Sequence, residues 1–524
     1  MHRRDLLARF GGGAAALALG SLFARAAGSG DERGLLLANQ DDPFTLGVAS
    51  GMPLADSVVL WTRLAPRPHE PLGGLPEAPI AVRWELADDA GFSRGLRSGS
   101  LLARPEHAHS VHVLVDALPS GRSFFYRFMA GDAASPVGRT RTAPAPNAEV
   151  GRLRVAVASC QHYEQGAFRL QREIAERDLD FVLFVGDYLY EGSNARYRLR
   201  AHEGPPPTTL EAYRRRHATY KLDPALRAAH AAHPWVLTWD DHEVENDYAG
   251  EVSRRSGLDA GAFLLQRAAA YKAYFEHMPV SPLLHPVGPA LRMHQQFQWG
   301  RLADLWTLDN RQHRSLQACS PDGRAGGRVL LDCAQLGDAA ATMFGPAQER
   351  WLEAGLAASR RQWRLLAQAT QIAPGGVDTA LGRSVYSDGW DGYPSARSRL
   401  MRAIAAHPEG DVVCLGGDMH RHVAARLRAD PMDARSPVVA SEFVCSSLTS
   451  RGASEAANAL IQASNPDLLH VRGDERGYLL LELTPERLVC DMRATAFPVL
   501  ADASVHTQAR WAVQRGRAGP ERDG

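Results

Sequence analysis

Four apolar runs in this chain end in side chains able to hold a metal ion. "RLRVAVASC" (152–160) ends in Cys160, and "FVLFVGDYLYEG" (181–192) in Asp187 and Tyr190. "PWVLTWDDHEVEND" (234–247) ends in Asp240, Asp241 and His242, with Asn246 and Asp247 close behind. "DVVCLGGDMHRH" (411–422) ends in Asp418, His420 and His422. Each group alone has a plain structural reading. Asp187 serves equally as a helix cap, Cys160 as a small buried hydrophobe, and His420 as a satisfied core histidine. Their joint placement, each after a strand that ought to be central, favours a shared site.

The donor types narrow the chemistry. Thiolate and phenolate are anionic donors that suit ferric iron, whereas carboxylates and amide oxygens suit a hard divalent ion such as calcium. A carboxylate such as Asp187 can bridge two ions. Two ions about 4 Å apart can clamp a phosphate, polarise it and generate a hydroxide nucleophile near neutral pH. A neighbouring histidine can protonate the leaving group. Gly186 would give the backbone the sharp turn that such a bridge needs.

Those strand ends need a sheet to converge upon. Strand "RLRVAVASC", helical "GAFRLQREIAERDLD" and strand "FVLFVGD" form a βαβ pattern. In such sheets ligands gather at the carboxyl ends of strands. Further helices are expected after Pro346 and Pro394. Upstream, "SVVLWTRL", "IAVRWEL", "SVHVLVDAL" and "SFFYRFMAG" read as short strands separated by Gly and Pro. They predict an N-terminal antiparallel β-sandwich over residues 40–145. "TAPAPNAEVGR" reads as a linker to an α/β unit over 150–500, and residues 501–524 as a loosely ordered tail.

The 524 residues are 45% hydrophobic and 23% charged, with 59 basic and 59 acidic side chains. No global field draws this chain to nucleic acid or an anionic membrane. No long apolar run suggests a membrane span. The N-terminal 27 residues carry Arg3 and Arg4, an apolar Gly/Ala-rich stretch and Ala24-Arg25-Ala26. This is the layout of an export signal of twin-arginine type. It implies a periplasmic or secreted protein, with the twin-arginine machinery as a partner and no stable membrane anchor. Export permits disulfides, and Cys319 and Cys333, bracketing "SPDGRAGGRVLLD", are the expected pair. Cys414, Cys445 and Cys490 lie in apolar runs and read as buried thiols.

"GDxxY", "DDHE" and "GDxH", in this order, resemble the metallophosphoesterase superfamily, near the purple acid phosphatases. The wider set "DPFTLGVASGMPLADSVVLWTRL", "VASC", "GDYLYEG", "WDDHEVEND", "LDNRQHRS", "WDGYPSARSRL", "GGDMHRH" and "DERGY" resembles the PhoD-like alkaline phosphatases over residues 40–495. The resemblance implies a β-sandwich followed by an α/β/β/α calcineurin-like domain. It implies ferric iron on Cys160, Asp187, Tyr190 and His420. Asp187 would bridge to calcium, with Asp241 and Asp418 as further ligands and Asp240 and Asn246 as additional candidates. "END" stands where a paired asparagine is expected, so Asp247 departs from the family pattern. His242 would contact phosphate or act as general acid, and Arg267 would bind phosphate. Asp309 and Arg311 would either assist or form a structural ion pair; His422 has no family counterpart.

The expected function is metal-dependent hydrolysis of phosphate monoesters, with diesters as a further substrate class, at alkaline pH. Three alternatives remain open on sequence. They are a phosphodiesterase or phospholipase-type esterase on the same metals, a non-catalytic binding protein on this scaffold, and a disulfide-rich surface protein. Six cysteines in 524 residues argue against the last.

Overall fold

The computed structural model describes residues 41–408 and 411–524. The export-signal reading of residues 1–27 lies outside them. Two sheets form the middle of the molecule. The larger has ten strands, in the order Glu521–Arg522, His506–Gln514, Arg487–Ala496, Glu475–Leu483, Leu153–Ala158, Phe181–Val185, Pro234–Thr238, Val48–Gly51, Val58–Arg63 and Ser110–Val115. The second has seven, in the order Gln295–Trp299, Ala303–Thr307, Trp363–Ala367, Asp411–Gly416, Val438–Val444, His422–Arg428 and Leu468–Arg472.

Strand alternation explains the layering. Phe181, Leu183 and Val185 join a core with Leu305, Leu365, Val413 and Phe443 of the second sheet. Val182 and Phe184, pointing the other way, pack with Leu170, Ile174, Tyr213 and Tyr220 from helices. Val412 and Cys414 likewise pack with Leu352, Leu356, Met401 and Ile404. The result is the expected α/β/β/α stack. Strands buried on both faces read as unbroken apolar runs, and that is how they stand in the sequence.

The N-terminal strands form the expected sandwich, with Val58, Leu60 and Val113 packed against Val82, Tyr126 and Phe128. Ile80–Ala87, Arg97–Ala103, Ser123–Ala130, Ala133–Ala134 and Gly138–Arg141 make a separate antiparallel sheet. Its partner layer, however, is the end of the ten-stranded sheet. Val48–Gly51 pairs in parallel with Pro234–Thr238, placing Ser50 opposite Pro234 and Gly51 opposite Trp235. The two parts therefore share one continuous ladder.

The tail reading is corrected. His506–Gln514 pairs antiparallel with Arg487–Ala496 along its length, and Glu521–Arg522 closes the edge. Buried Trp511 and Val513 anchor the segment to the inter-sheet core. Cys319 and Cys333 form a disulfide. Cys160, Cys414, Cys445 and Cys490 are buried free thiols. Among the described residues no helix is long and apolar enough to cross a membrane.

Candidate metal centre

The strands ending in Cys160, Asp187 and Asp240 are neighbours in one sheet, paired in parallel. The strand leading to Asp418 belongs to the other sheet. The carboxyl ends of both sheets meet at one place. The turns there are tight. Gly186 has φ +114°, and a Cβ at that position would lie 2.6 Å from the Asp240 amide nitrogen, so only glycine fits. Cys160, Asp187, Asp247, Asp418 and His420 all adopt left-handed φ between +52° and +61°. Non-glycine residues hold such angles at a cost of about 1–3 kcal/mol each, and they cluster at functional sites.

On one side of the site four donor types converge. Asp187 Oδ2 lies 3.4 Å from Cys160 Sγ and accepts a 2.9 Å hydrogen bond from the Tyr190 hydroxyl. Tyr190 Oη is also 3.0 Å from His420 Nε2. The other nitrogen of His420 is held by the Arg451 carbonyl at 2.9 Å, which fixes the ring with Nε2 inward. Ligand atoms of Cys160, Asp187 and His420 lie within 4.8 Å of one another.

The other side is built mainly from oxygen. Asp187, Asp241 and His242 form a second such group, and Asp241, Asp247 and Asp388 a third. Asp418 Oδ2 is held by the Thr370 hydroxyl at 2.7 Å. Asp187 Oδ1, Asp240 Oδ2 and Asp241 Oδ1 are buried with no hydrogen-bond partner. Buried anionic oxygens without partners are costly, so an atom of positive charge is expected to satisfy them. Burial pushes the Asp187 carboxyl well above its usual range, and crowding by Asp241 and Asp240 adds to this against the opposing pull of His242. Burial, with Asp241 close by, also raises Asp418 to about 7. Mutually repelling carboxyls with unpartnered buried oxygens fit metal ions.

His242 is differently placed. Its Nδ1 lies 2.6 Å from Glu191 Oε2, and its ring packs 4.1 Å from the Tyr190 ring centre. Burial disfavours the imidazolium, yet Glu191, Asp241 and Asp187 hold its pKa well above the ordinary value. Glu191 also accepts from the Asn246 amide at 2.9 Å.

Several expectations meet a different arrangement. Arg267 is not drawn into the cluster: its Nε donates to the Pro289 carbonyl at 3.1 Å and its Nη1 to that of Gly250 at 2.5 Å. These bonds tie its helix, Ala260–His277, to two loops. Asp240 Oδ1 accepts a hydrogen bond from Arg311 Nε at 2.5 Å. Arg311 also pairs with Asp388 at 2.9 Å and lies 3.6 Å from Asp241. Asp309 accepts from the Arg311 and Gln312 amides and from the Gln312 side chain, closing its own loop. His422 is buried, with neither ring nitrogen hydrogen-bonded. Asp247 accepts from the Gly327 amide at 3.0 Å. Asp388 was missed altogether. It lies in a loop, "SDGWDG", with no apolar run before it to signal a strand end.

The family model described as "PhoD-like phosphatase" matches residues 155–492, and that of the PhoD-like phosphatase N-terminal domain matches residues 32–144. The chain belongs to the PhoD-like phosphatase family. It is 41% identical over 485 residues to alkaline phosphatase D of Bacillus subtilis (strain 168), covering 91% of this chain and 82% of that protein. The solved structure titled "Structure of PhoD" superposes with a TM-score of 0.88 at 39% identity, covering 93% of each chain. As a PhoD-like phosphatase the protein is a phosphoric ester hydrolase, and the donor groups described above are suited to the metal dependence that this family implies.

Proposed function

We propose that the protein is an exported alkaline phosphatase that releases phosphate from monoesters at an iron–calcium centre, and accepts some diesters. The observation that carries this reading is the convergence of a thiol, a phenol, a carboxylate and an imidazole around Asp187 Oδ2, beside an oxygen-rich cluster. The first set suits ferric iron, held by Cys160, Asp187, Tyr190 and His420; the second suits calcium, held by Asp187, Asp241 and Asp418. When bound, two such ions supply charge neutralisation for the phosphoryl group and a nucleophile at neutral to alkaline pH.

The protein's own groups do the rest. Asp187 spans the two donor sets. The Arg451 carbonyl fixes the His420 ring and Thr370 fixes Asp418, so both ligands are oriented in advance. Arg311 keeps Asp240 and Asp388 apart from one another's charge. Glu191 holds the proton on His242 Nδ1 and raises the imidazolium's pKa, which suits His242 Nε2 to donate a proton to the departing alkoxide oxygen.

The test is elemental analysis of the purified protein beside a phosphatase assay, before and after chelation. Iron and calcium, with phosphate release abolished by chelator and restored by the two ions, is the expected result. Full activity from metal-free protein would overturn the reading.

A further inference from the structure

A cleft beside the metal centre contains a cation that, among the described residues, forms no ion pair. It encloses about 90 Å³, with Gln371, Tyr386, Trp390, Asp391, Met419 and Arg421 in its wall. Two contacts join it to the centre. Met419 Sδ lies 3.4 Å from the Thr370 hydroxyl that holds Asp418. The Tyr386 hydroxyl sits over Gly327, where a Cβ would approach to 2.0 Å, and the Gly327 amide donates to Asp247. Met419 and Arg421 flank His420 in sequence.

Arg421 is 4% exposed. Its one hydrogen bond runs from Nη2 to Gln371 Oε1 at 3.1 Å. Its Nε is buried without a partner. Among the described residues no carboxylate lies within ion-pair distance of it. The nearby Asp391 is already engaged by Arg397 at 2.6 Å and by the Gly375 amide at 2.8 Å. The contrast with Arg311, which meets three carboxylates, is plain. A buried guanidinium left unpaired is unfavourable, and its planar fork of donors matches a carboxylate or a phosphate. Trp390 and Met419 add apolar wall to the cleft.

We propose that this cleft is a specificity subsite, in which Arg421 receives a second anionic group, carboxylate or phosphate, carried on the alcohol side of the ester. The proposal rests on the phosphatase reading and deepens it. The volume admits one small anion on a short alkyl chain. Asp391 faces the same cleft and is committed to Arg397 and the Gly375 amide, which leaves Arg421 as the charge without an ion pair there among the described residues.

The experiment compares kcat/KM for matched esters: ω-carboxyalkyl phosphates and alkyl bisphosphates against ω-hydroxyalkyl phosphates of equal chain length. The metal-loaded wild type is expected to favour the anionic esters by about tenfold or more, as charge-assisted bonds to arginine allow. In Arg421→Gln the ratio falls to near one, and Arg421→Lys keeps part of it. A preference for carboxylates alone or for bisphosphates alone identifies which source of the anion the fork accepts. A wild-type ratio near one, with neutral esters still hydrolysed, would overturn the subsite and leave the phosphatase reading intact. Equal losses for both ester classes in Arg421→Gln would also overturn it, assigning Arg421 to the scissile phosphate or to support of the His420 turn. If Arg421→Gln does not fold, the wild-type ratio and Arg421→Lys decide. Absence of phosphate release from every ester would refute the phosphatase reading, and the subsite with it.

Discussion

Tyr190 Oη and His420 Nε2 stand 3.0 Å apart although 230 residues separate them in the chain. They come from strand ends in two different sheets, and Asp187 Oδ2 is the atom that Tyr190 also reaches. This contact defines the sulfur- and nitrogen-bearing half of the centre and sets the first test.

Asp187→Ala removes the carboxylate common to both donor groups. It should lose both metals, with affinity falling by at least the tenfold to hundredfold seen on loss of mere outer-shell partners. The sheet should persist, since Val182, Phe184 and the rest of the strand remain packed. Metal analysis with circular dichroism checks this, and a mutant holding both ions in full would refute the bridging role.

His242→Ala should keep its metals and lose rate by about 10²–10⁴-fold. The loss should be larger for alkyl phosphates, whose alkoxides need a proton, than for nitrophenyl phosphate, which needs little. Equal losses would point to phosphate positioning. Loss of metal would make His242 a ligand, a role that its proximity to Asp187 and Asp241 leaves geometrically open.

The cysteine pair makes a separate prediction. Cys319 and Cys333, 14 positions apart, close a short loop. Replacing both by serine should cost about 3 kcal/mol of stability on the loop-entropy estimate, without altering metal content. Denaturation curves and non-reducing peptide maps read the two halves of this statement. Cys160 found in a disulfide would refute its assignment as a ligand, because a disulfide sulfur supplies no thiolate.

Lys221 supplies the pH dependence. It is buried against the Trp61 ring at 4.3 Å, and burial lowers its pKa from 10.5 to about 7. The unfolded chain therefore binds more protons than the folded one between pH 7 and 10.5. Stability should rise with pH through that window and be lost as pH falls towards 7. The shift corresponds to about 5 kcal/mol, less whatever the cation–π contact returns. Lys221→Met should flatten this slope and raise stability at pH 7. An unchanged slope in urea titrations at pH 7 and 10 would refute the assignment.

Much of the centre was legible in the chain because its signals are local. A strand buried on both faces must be an apolar run, so its end is visible as a change of composition. Residues at such ends gather where the strands of an open sheet stop. Cys160, Asp187, Asp241 and Asp418 could therefore be singled out as candidates from residue types alone, with Tyr190 three positions after Asp187. The Cys319–Cys333 pairing was visible in the same way, as two cysteines flanking a hydrophilic loop. Asp388 carried no such mark, being a loop residue whose importance comes from Arg311, Arg314 and Gln317 folding around it.

What the sequence determined by itself is which side chains stand at strand ends and what ions their donor atoms suit. Only the tertiary structure decided how those ends associate. The parallel pairing of Val48–Gly51 with Pro234–Thr238 made one layer of the N-terminal sandwich an extension of the central sheet. The pairing of His506–Gln514 with Arg487–Ala496 turned a supposed tail into an ordered edge. The commitment of Arg267 to backbone carbonyls kept it from the site, and that of Arg311 to Asp240 and Asp388 brought it in. The reason is physical. Apolar periodicity reports how each segment is buried, whereas strand pairing and ion pairing depend on partners hundreds of residues away, whose choice leaves no trace in local composition.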